Sequence, residues 1–509
     1  MKKLPLWFCM AALLISRAHA QTPAKEDPRF AGLDKEFNKI LSTWHAAGFA
    51  VAVVEKDKII YAKGFGYRDY EHKVPVTPHT VFAVGSNTKA FTAGLLGILR
   101  DQGKLDFEQP VRNFLPELVF ATNDLNEQVT LRDMMTHRTG IQRYDYSWLF
   151  FPPKSRDTLL YRIRYFKPHT PLRSRWEYNN FMYLAQGKVA EKLTGRSWEE
   201  NIRQYFFDPL GMSHSDLSVT DMEKEQDKAL PYSVALDGSI KKLPYRNIDV
   251  IAPAGSINSS VLDMGNWVSM WLNSGKYKGK TVLPKTYVRE ALGLQMAIWY
   301  NLPDKAHPDL HFNGYGLGWF LRSYRGHYQA EHGGNIDGFT ALTCLFPSDS
   351  IGIVVLSNQG GSIVPDIVHN ILADRALRLG KIDWYGEAEK RLHAPPPPAA
   401  LQVRKDTVII KGTDVHRSPG EMTGTYTNNL YGSFEVFVKD DSLFARLPLE
   451  TVYLKHRGYD IFDATSSTDF TVGSMAVIHF LMDDNGAINR LGIRLDDEEP
   501  AVFVKQKRN

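Results

Sequence analysis

Cysteine is scarce in this sequence, with only two among 509 residues. Cys9 lies in an apolar N-terminal run that we expect to be cleaved off, so Cys344 alone would remain in the mature chain. A single cysteine cannot form an intramolecular disulfide, even in an oxidising compartment. Packing must therefore stabilise the fold without a covalent cross-link.

Long hydrophobic runs are also missing: nothing after the N-terminus reaches the roughly 18 apolar residues typical of a membrane-spanning helix. The N-terminus has Lys2 and Lys3, an apolar run over 4–15 and an A-x-A site that ends at Ala20. This pattern predicts a signal peptide over residues 1–20, cut after Ala20, and hence a periplasmic or secreted protein. The alternative is an N-terminal membrane anchor, for which the run is short.

The sequence has no marked excess of charge of either sign. Its formal charge of +4 falls to +1 without residues 1–20, because that segment carries three basic residues and no acidic one. A balanced charge gives no reason to expect binding to nucleic acid. No H-E-x-x-H motif is present, and Pro308 lies between His307 and His311. We therefore expect no metal site. We also expect no other cofactor, and the oligomeric state stays open.

Four consecutive prolines, Pro395–Pro398, form the clearest boundary in the chain and predict an extended linker. We predict a first domain over residues 21–385, a linker over 386–415 and a second domain over 416–509. In the first domain strand patterns lie at both ends and helical patterns lie between them. This order predicts an α/β fold with a largely antiparallel sheet, flanking helices and a helical insert.

Periodicity gives the elements of both domains. The predicted strands of the first domain cover 49–55, 59–64, 315–321, 341–346 and 352–356, and its predicted helices cover 86–102, 131–136, 181–193, 261–272 and 364–379. Seven short strands are predicted after the linker, over 432–438, 442–447, 451–455, 459–462, 476–481, 489–493 and 501–505. Their regular spacing predicts a small all-β barrel or sandwich.

Ser86 and Lys89 form an S-x-x-K motif at the start of a predicted helix. Residues three apart on a helix lie on one face, so Ser86 Oγ and the Lys89 amine can meet. A serine becomes a good nucleophile when a neighbouring group takes its proton, and burial could lower the pKa of Lys89 enough for that role. Taken alone, Ser86 also fits a helix cap, and a second S-x-x-K at Ser239 follows a turn without a helix.

Two further motifs follow in order. Tyr178 and Asn180 form a Y-x-N in a loop that opens a helix, where the tyrosine can act as a base near a cationic lysine and the asparagine can donate to a substrate carbonyl. His332, Gly333 and Gly334 precede a strand-like segment, and the glycines let a substrate approach the strand edge. The histidine can hydrogen-bond the tyrosine or bind a carboxylate when it is protonated. A core tyrosine and a surface histidine are the plain alternatives.

The order of these three motifs resembles that of the serine β-lactamase and penicillin-binding superfamily. The resemblance is to the class C-like branch with D-alanyl carboxypeptidases, D-aminopeptidases and related esterases (peptidase family S12), and it covers about residues 30–380. Supporting stretches are G-K-L-D at 103–106, V-T-L-R-D at 129–133, P-A-G-S at 253–256 and Y-G-L-G-W at 315–319. From about Gly420 the chain is similar to the lipocalin-like barrel appended to some peptidases of this family.

The resemblance implies a β-lactamase-like fold and a role for each motif residue. Ser86 would be the acylated nucleophile, Lys89 would tune its proton, and Tyr178 would be the general base or proton relay. Asn180 would orient the substrate.

The strand motif would complete this site. Gly333, Gly334 and Asn335 would bind the substrate, and the backbone N–H groups of Ser86 and Asn335 would form the oxyanion hole. His332 stands where the lactamases usually have lysine. Because histidine is mostly neutral at neutral pH, the match favours peptidases and esterases over true β-lactamases.

The sequence thus predicts a serine hydrolase of amide or ester bonds that acts through an acyl-enzyme. A peptidase acting on D-amino-acid or cell-wall-type peptides leads, and an esterase or a weak β-lactamase is the alternative. A non-catalytic penicillin-binding protein is the alternative of another class, and a metallohydrolase lacks its ligand motif. The expected partners are small peptide, ester or lactam substrates, with no transmembrane segment in the mature chain.

Overall fold

The computed structural model describes residues 27–235, 237–298, 308–392, 418–466, 477–495 and 499–506. The predicted signal peptide, most of the predicted linker and His307 lie outside these ranges. Residues 386–392, predicted as linker, belong instead to a helix over Trp384–Leu392. This helix continues the first domain because its Tyr385 ring packs edge-on against Trp44, with 5.2 Å between ring centroids.

One antiparallel sheet of nine strands forms the centre of the first domain, as predicted. In spatial order its strands are Met296–Ala297, Asn313–Tyr315, Phe320–Tyr324, His327–Ile336, Phe339–Phe346, Ile351–Ser357, Gly48–Glu55, Lys58–Asp69 and Val74–Pro75. The two ends of the domain meet where Gly48–Glu55 pairs with Ile351–Ser357. The sheet is therefore assembled from segments that are about 300 residues apart in sequence.

The prediction of one strand over 315–321 is wrong. The chain forms two strands here, Asn313–Tyr315 and Phe320–Tyr324, which pair with each other. Gly318 has a φ of +85°, a left-handed conformation that suits glycine, and a Cβ on Gly316 would lie 2.1 Å from the Ala291 carbonyl oxygen. Both glycines are thus needed for the hairpin turn, which brings Tyr315 back toward the site described below.

Helices cover both faces of the sheet, because alternate residues of a strand point to opposite faces. Val51 and Val53 pack with the helices Leu33–Thr43 and Val364–Ala376. Ala52 and Val54 pack into the larger core, which contains three long helices. These are Thr88–Asp101, Asn180–Thr194 and Val261–Leu272.

Shorter elements fill the insert and the edges of the domain. The remaining α-helices are Asn123–Gln128, Leu131–Met135, Tyr146–Leu149, Arg156–Arg162, Trp198–Ile202, Asp208–Leu210, Val219–Met222 and Lys285–Ala291. Short pairings join Phe82–Ala83, Ser215–Asp216 and Asn258–Ser259, and also Tyr232–Val234 with Ile240–Lys242 and Lys276–Tyr277 with Lys280–Thr281. No helix within the described ranges is both long enough and apolar enough to cross a bilayer.

The second domain is a closed barrel of eight antiparallel strands in sequence order. They are Gly424–Asn428, Gly432–Lys439, Ser442–Arg446, Thr451–Gly458, Ile461–Ser466, Val477–Met482, Ile488–Ile493 and Ala501–Lys505. The seven predicted strands are present, Ala501–Lys505 with the predicted bounds and the other six with shifted bounds. The prediction missed Gly424–Asn428, whose sequence G-T-Y-T-N has one large apolar residue, although this strand closes the barrel by pairing with Ala501–Lys505.

Candidate active site

Ser86 lies in a one-turn 3₁₀ helix, Gly85–Asn87, directly before the helix Thr88–Asp101. Gly85 has a φ of +54°, and a Cβ there would lie 2.9 Å from the backbone N of Asn335. Glycine therefore lets the serine turn approach the neighbouring strand closely. Neither this turn nor the helix after it has a side-chain N-cap. Ser86 Oγ instead lies 3.0 Å from Lys89 Nζ, so the helix-cap alternative is wrong.

Lys89 is fully buried and has three polar neighbours. Its Nζ contacts Ser86 Oγ at 3.0 Å and donates to Asn180 Oδ1 and to the Ala254 carbonyl, both at 2.8 Å. Burial lowers the pKa of Lys89 well below its usual value, the charge of Arg143 lowers this pKa further, and Asp145 opposes the shift. The amine therefore loses its proton at a much lower pH than a solvated lysine would.

The partners of Lys89 decide which part of the amine faces Ser86. Asn180 Oδ1 and the Ala254 carbonyl can only accept hydrogen bonds, so they take both N–H donors of a neutral amine. The lone pair is then directed at the remaining neighbour, Ser86 Oγ. In this state the amine is placed to accept the serine proton.

Tyr178 is the third residue that the sequence analysis placed at this site. Its side chain is hydrogen-bonded to Ser86, and Lys89 Nζ lies 4.8 Å from its ring centroid. Although Tyr178 is only half-buried, the surrounding protein raises the pKa of its hydroxyl, and the charge of Asp145 adds to this rise. The prediction that a cationic Lys89 would ease loss of the Tyr178 proton is therefore wrong. Tyr178 remains a proton donor beside Ser86 at neutral pH.

Asn180 has a role that the sequence did not predict. Its Oδ1 accepts from Lys89, while its Nδ2 donates to both carboxylate oxygens of Asp145 at 2.9 and 3.1 Å. A carboxylate can only accept, so Asp145 fixes which end of the amide faces Lys89. Asp145 also accepts from Arg143 Nε at 2.6 Å and from Trp148 Nε1 at 2.9 Å. The Asn180 amide thus positions the lysine, although its surface also lines the cleft.

Arg143 and Asp145 are the site residues that sequence reasoning missed. They belong to no recognised motif, and their segment contains several aromatic residues that suggest only packing. The Arg143 guanidinium carbon lies 4.8 Å from the Tyr178 ring centroid. Arg143 and Asp145 both line the cleft beside Ser86. Two charged residues that alternate with Tyr144 and Tyr146 were the only available signal.

Replacing Asp145 with asparagine is expected to shift the pH dependence of turnover. The Asp145 carboxylate raises the pKa of Lys89, so Asp145→Asn should lower that pKa and move the acid limb of kcat/KM to lower pH. The plateau should also fall, because the Asn180 amide would lose its fixed orientation. A pH profile of ester hydrolysis from pH 5 to 9, beside the exposed control Asp237→Asn, measures both effects. An acid limb that moves to higher pH would contradict this electrostatic role.

His332 is buried, with 1% of its surface exposed, and does not lie among the residues that line the cleft. Its Nδ1 lies 2.6 Å from the Gly333 carbonyl, which accepts only, so Nδ1 carries the proton. Its Nε2 then accepts from the Tyr315 hydroxyl at 2.9 Å. The predicted hydrogen bond to Tyr178 is therefore replaced by one to Tyr315. Burial lowers the pKa of His332 to about 3, so the ring cannot supply a cation for a substrate carboxylate near neutral pH.

Of the two glycines after His332, Gly334 has a packing role that the sequence did not predict, and the substrate-binding role of both stays a prediction. A Cβ on Gly334 would lie 2.0 Å from the Val84 carbonyl oxygen, so this glycine admits the serine turn. A Cβ on Gly333 would meet only the Ala341 carbonyl, at 3.7 Å. Neither glycine lines the cleft, whereas Asn335 does.

His137 packs behind the tyrosine. Its ring centroid lies 4.3 Å from that of Tyr178, and its Nδ1 accepts from the Asn179 backbone N–H at 3.1 Å. Burial lowers the pKa of His137 well below its usual value. This neutral ring supports Tyr178 and Asn179, in agreement with the packing role predicted for its segment.

One group of potential metal ligands lies on the opposite face of the sheet. Glu331, Cys344 and His369 are buried, with their ligand atoms within 4.8 Å of one another. Gln329 Nε2 donates to Glu331 at 2.8 Å and to Cys344 Sγ at 3.3 Å, and Arg322 pairs with Glu331. The strand His327–Ile336 carries Glu331 and His332 on opposite faces, so this group does not reach Ser86.

A cleft of about 560 Å³ opens in front of Ser86. Its polar lining includes Ser86, Arg143, Asp145, Asn180 and Asn335. Most of its other lining residues are apolar, and these include Trp148, Leu149, Phe150, Leu243, Ile248, Ile251 and Ile336. A cleft of this size, with a few convergent polar groups, is typical of a small-molecule or peptide site.

Residues 33–378 match the sequence profile of the beta-lactamase family. The chain belongs to the beta-lactamase family. Residues 416–506, which contain the barrel, match a family described as a domain of unknown function, DUF3471. The family assignment and the nine-stranded sheet confirm the predicted superfamily and fold class.

Several known proteins are similar to this chain over most of its length. An unguisins hydrolase of Aspergillus campestris is 27% identical over 417 residues, which are 74% of this chain and 75% of that protein. The octameric penicillin-binding protein homologue from Pyrococcus abyssi aligns with a TM-score of 0.61 and 21% identity, over 92% of this chain and 99% of that one. A D-stereospecific amidohydrolase from Streptomyces aligns with a TM-score of 0.54 and 20% identity, over 67% of this chain and 97% of that one. The two structural likenesses concern the fold.

Proposed function

We propose that this protein is a serine hydrolase of amide or ester bonds, that it forms an acyl-enzyme on Ser86, and that its substrates are peptides with D-residues or cell-wall-type peptides. The observation that carries the proposal is the environment of Lys89 Nζ. Two obligate acceptors occupy its N–H groups and Ser86 Oγ lies 3.0 Å away. This arrangement prepares a neutral amine to take the serine proton.

The proposed acylation moves one proton and exchanges one bond. Lys89 takes the Ser86 hydroxyl proton while Oγ attacks the substrate carbonyl carbon. The resulting oxyanion accepts hydrogen bonds from the backbone N–H groups of Ser86 and Asn335, which the Gly85 turn brings close together. The proton passes from Lys89, through the Tyr178 hydroxyl, to the leaving nitrogen or oxygen as the carbonyl re-forms. Water then hydrolyses the acyl-enzyme by the same groups in reverse.

The peptide substrate class has separate support. The relatives include a hydrolase of unguisins, a D-stereospecific amidohydrolase and a penicillin-binding protein homologue. The cleft is large and mainly apolar, and His332 offers no cation for a lactam carboxylate. A panel of matched D- and L-aminoacyl anilides, simple esters and nitrocefin tests this choice. Faster hydrolysis of every L-anilide than of its D-counterpart would contradict a preference for D-residues.

Nitrocefin turnover is expected to be slow and to follow ester turnover as the pH changes. Because His332 has a pKa of about 3, it stays neutral from pH 8.5 to 5.5 and gains no charge that would attract a lactam carboxylate. The ratio of nitrocefin to ester hydrolysis should therefore stay constant over this range. A ratio that rises as the pH falls to 5.5 would show that His332 does bind the carboxylate.

We further propose that the protein is exported, on the basis of the signal sequence in residues 1–20. The mass of the protein from a periplasmic or medium fraction tests this. A chain that begins at Gln21 is the expected result, and an intact N-terminus would contradict it.

A further inference from the structure

A second cavity of about 600 Å³ lies next to the cleft at Ser86. The same five residues line both cavities: Trp148, Leu149, Phe150, Arg246 and Asp337. The two cavities are therefore adjacent, and we describe them as the near and far parts of one groove, with Ser86 in the near part. A substrate held at Ser86 can therefore extend into the far part.

A polar pair lines both parts. Arg246 Nε pairs with an Asp337 carboxylate oxygen, and Arg246 Nη1 donates to the Leu149 carbonyl at 3.2 Å. Both side chains keep part of their surface exposed, at 19% and 29%. Charged and backbone groups on the shared wall suit the amide groups of a peptide better than a hydrocarbon chain.

The far part is mainly apolar and is completed by the barrel domain. The first domain contributes Pro152, Pro153, Pro244, Tyr245 and Val250 to its lining. The barrel contributes Leu447, Leu449 and Glu450, from the turn between Ser442–Arg446 and Thr451–Gly458. Leu449 is 56% exposed, so its side chain can contact a ligand that occupies this cavity.

The segment that forms the shared wall also holds the barrel in place. Phe151, next to Phe150, is 3% exposed and packs against three barrel rings. Its ring centroid lies 6.0 Å from Tyr431, 6.2 Å from Phe434 and 5.9 Å from Phe503. Aromatic contacts of this kind fix the barrel relative to the wall. The Leu447–Glu450 turn is thereby held over the far end of the groove.

We infer that the far part of the groove is a distal subsite for an apolar side chain of the peptide substrate, and that Leu449 of the barrel is one of its specificity-determining residues. The occupant is a residue of the same peptide whose carbonyl lies at Ser86, with the Arg246–Asp337 pair alongside the intervening backbone. The inference rests on the proposed peptide hydrolase function. It gives the barrel a direct part in selecting substrates.

The test walks one phenylalanine through an otherwise serine- and glycine-rich peptide, on both sides of the cleaved bond, with cleavage followed by mass spectrometry. At one position distant from that bond, phenylalanine should raise kcat/KM over serine by roughly 10- to 100-fold. Leu449→Asp should abolish this gain and leave hydrolysis of p-nitrophenyl acetate, which is too short to reach the subsite, unchanged. Met482→Asp, a change at another exposed barrel residue that lines neither cavity, should behave like wild type.

The inference is overturned if no distant position in wild type favours phenylalanine, or if the gain persists in Leu449→Asp. An equal loss on p-nitrophenyl acetate would also overturn it, because the change would then act on the fold in general. If Leu449→Asp does not fold, the smaller change Leu449→Ala should still reduce the gain. Labelling of Ser86 by a fluorophosphonate in every variant separates the two proposals. Failed labelling of wild type removes the hydrolase function, whereas normal labelling without a positional effect removes only the subsite.

Discussion

Ser86→Ala is expected to lower kcat/KM by roughly 10⁴- to 10⁶-fold on every substrate, because no other atom can form the acyl bond. The fold should persist, since the removed hydroxyl contacts only the side chains of Lys89 and Tyr178 among the described residues. Thermal unfolding of the variant, measured beside wild type, checks the fold, and initial rates on an activated ester check the activity.

The second S-x-x-K sequence provides the matched control. Ser239 precedes the exposed strand Ile240–Lys242, and its hydroxyl donates to Asp237 at 2.6 Å. Ser239→Ala should leave turnover unchanged. A folded Ser86→Ala protein that retains substantial activity would mean that another residue is the nucleophile.

Lys89→Met is expected to lower kcat by roughly 10²- to 10⁴-fold, because methionine fills the same space without a group that accepts the serine proton. Wild-type kcat/KM should rise with pH as Lys89 loses its proton and then level off. The acid limb should lie well below pH 10.5, since burial lowers the pKa of Lys89. The residual activity of Lys89→Met should lack this limb, and a limb that persists unchanged would assign it to another group.

The same substitution has an effect on stability whose sign follows from proton linkage. The unfolded chain protonates Lys89 below about pH 10.4, whereas the folded chain binds this proton only at a much lower pH. Wild-type stability from this residue therefore falls as the pH decreases through that window. Lys89→Met removes this dependence. The free energy of unfolding of the variant should therefore increase relative to that of wild type as the pH is lowered from 10 to 7. Denaturant unfolding at both pH values measures the difference, and a constant difference would contradict a neutral buried Lys89.

Local patterns predicted the elements of this protein well. The helix Val261–Leu272 has the predicted bounds, and the contact between Ser86 and Lys89 follows from helical spacing alone. Among the failures are 315–321, where two glycines hide a hairpin turn, and Gly424–Asn428, a mainly polar strand. In both places neighbouring segments decide the backbone, and periodicity does not contain that information.

The remaining site contacts join residues that are distant in sequence. Asn180 and Ala254 reach Lys89 across 91 and 165 residues. Motif spacing could place Asn180 near the serine. It could not show that Asp145 accepts hydrogen bonds from the other end of the Asn180 amide. For the same reason the sequence paired His332 with Tyr178, whereas the hairpin turn places Tyr315 against it.

The most direct test of the central claim is the mass of the intact protein after reaction with a fluorophosphonate, followed by peptide mapping. We expect one adduct, on the peptide that contains Ser86, and no adduct in Ser86→Ala. Labelling should also become faster as the pH rises through the pKa of Lys89. An adduct on any other residue, or hydrolysis by a protein that never labels at Ser86, would contradict the assignment of Ser86 as the nucleophile.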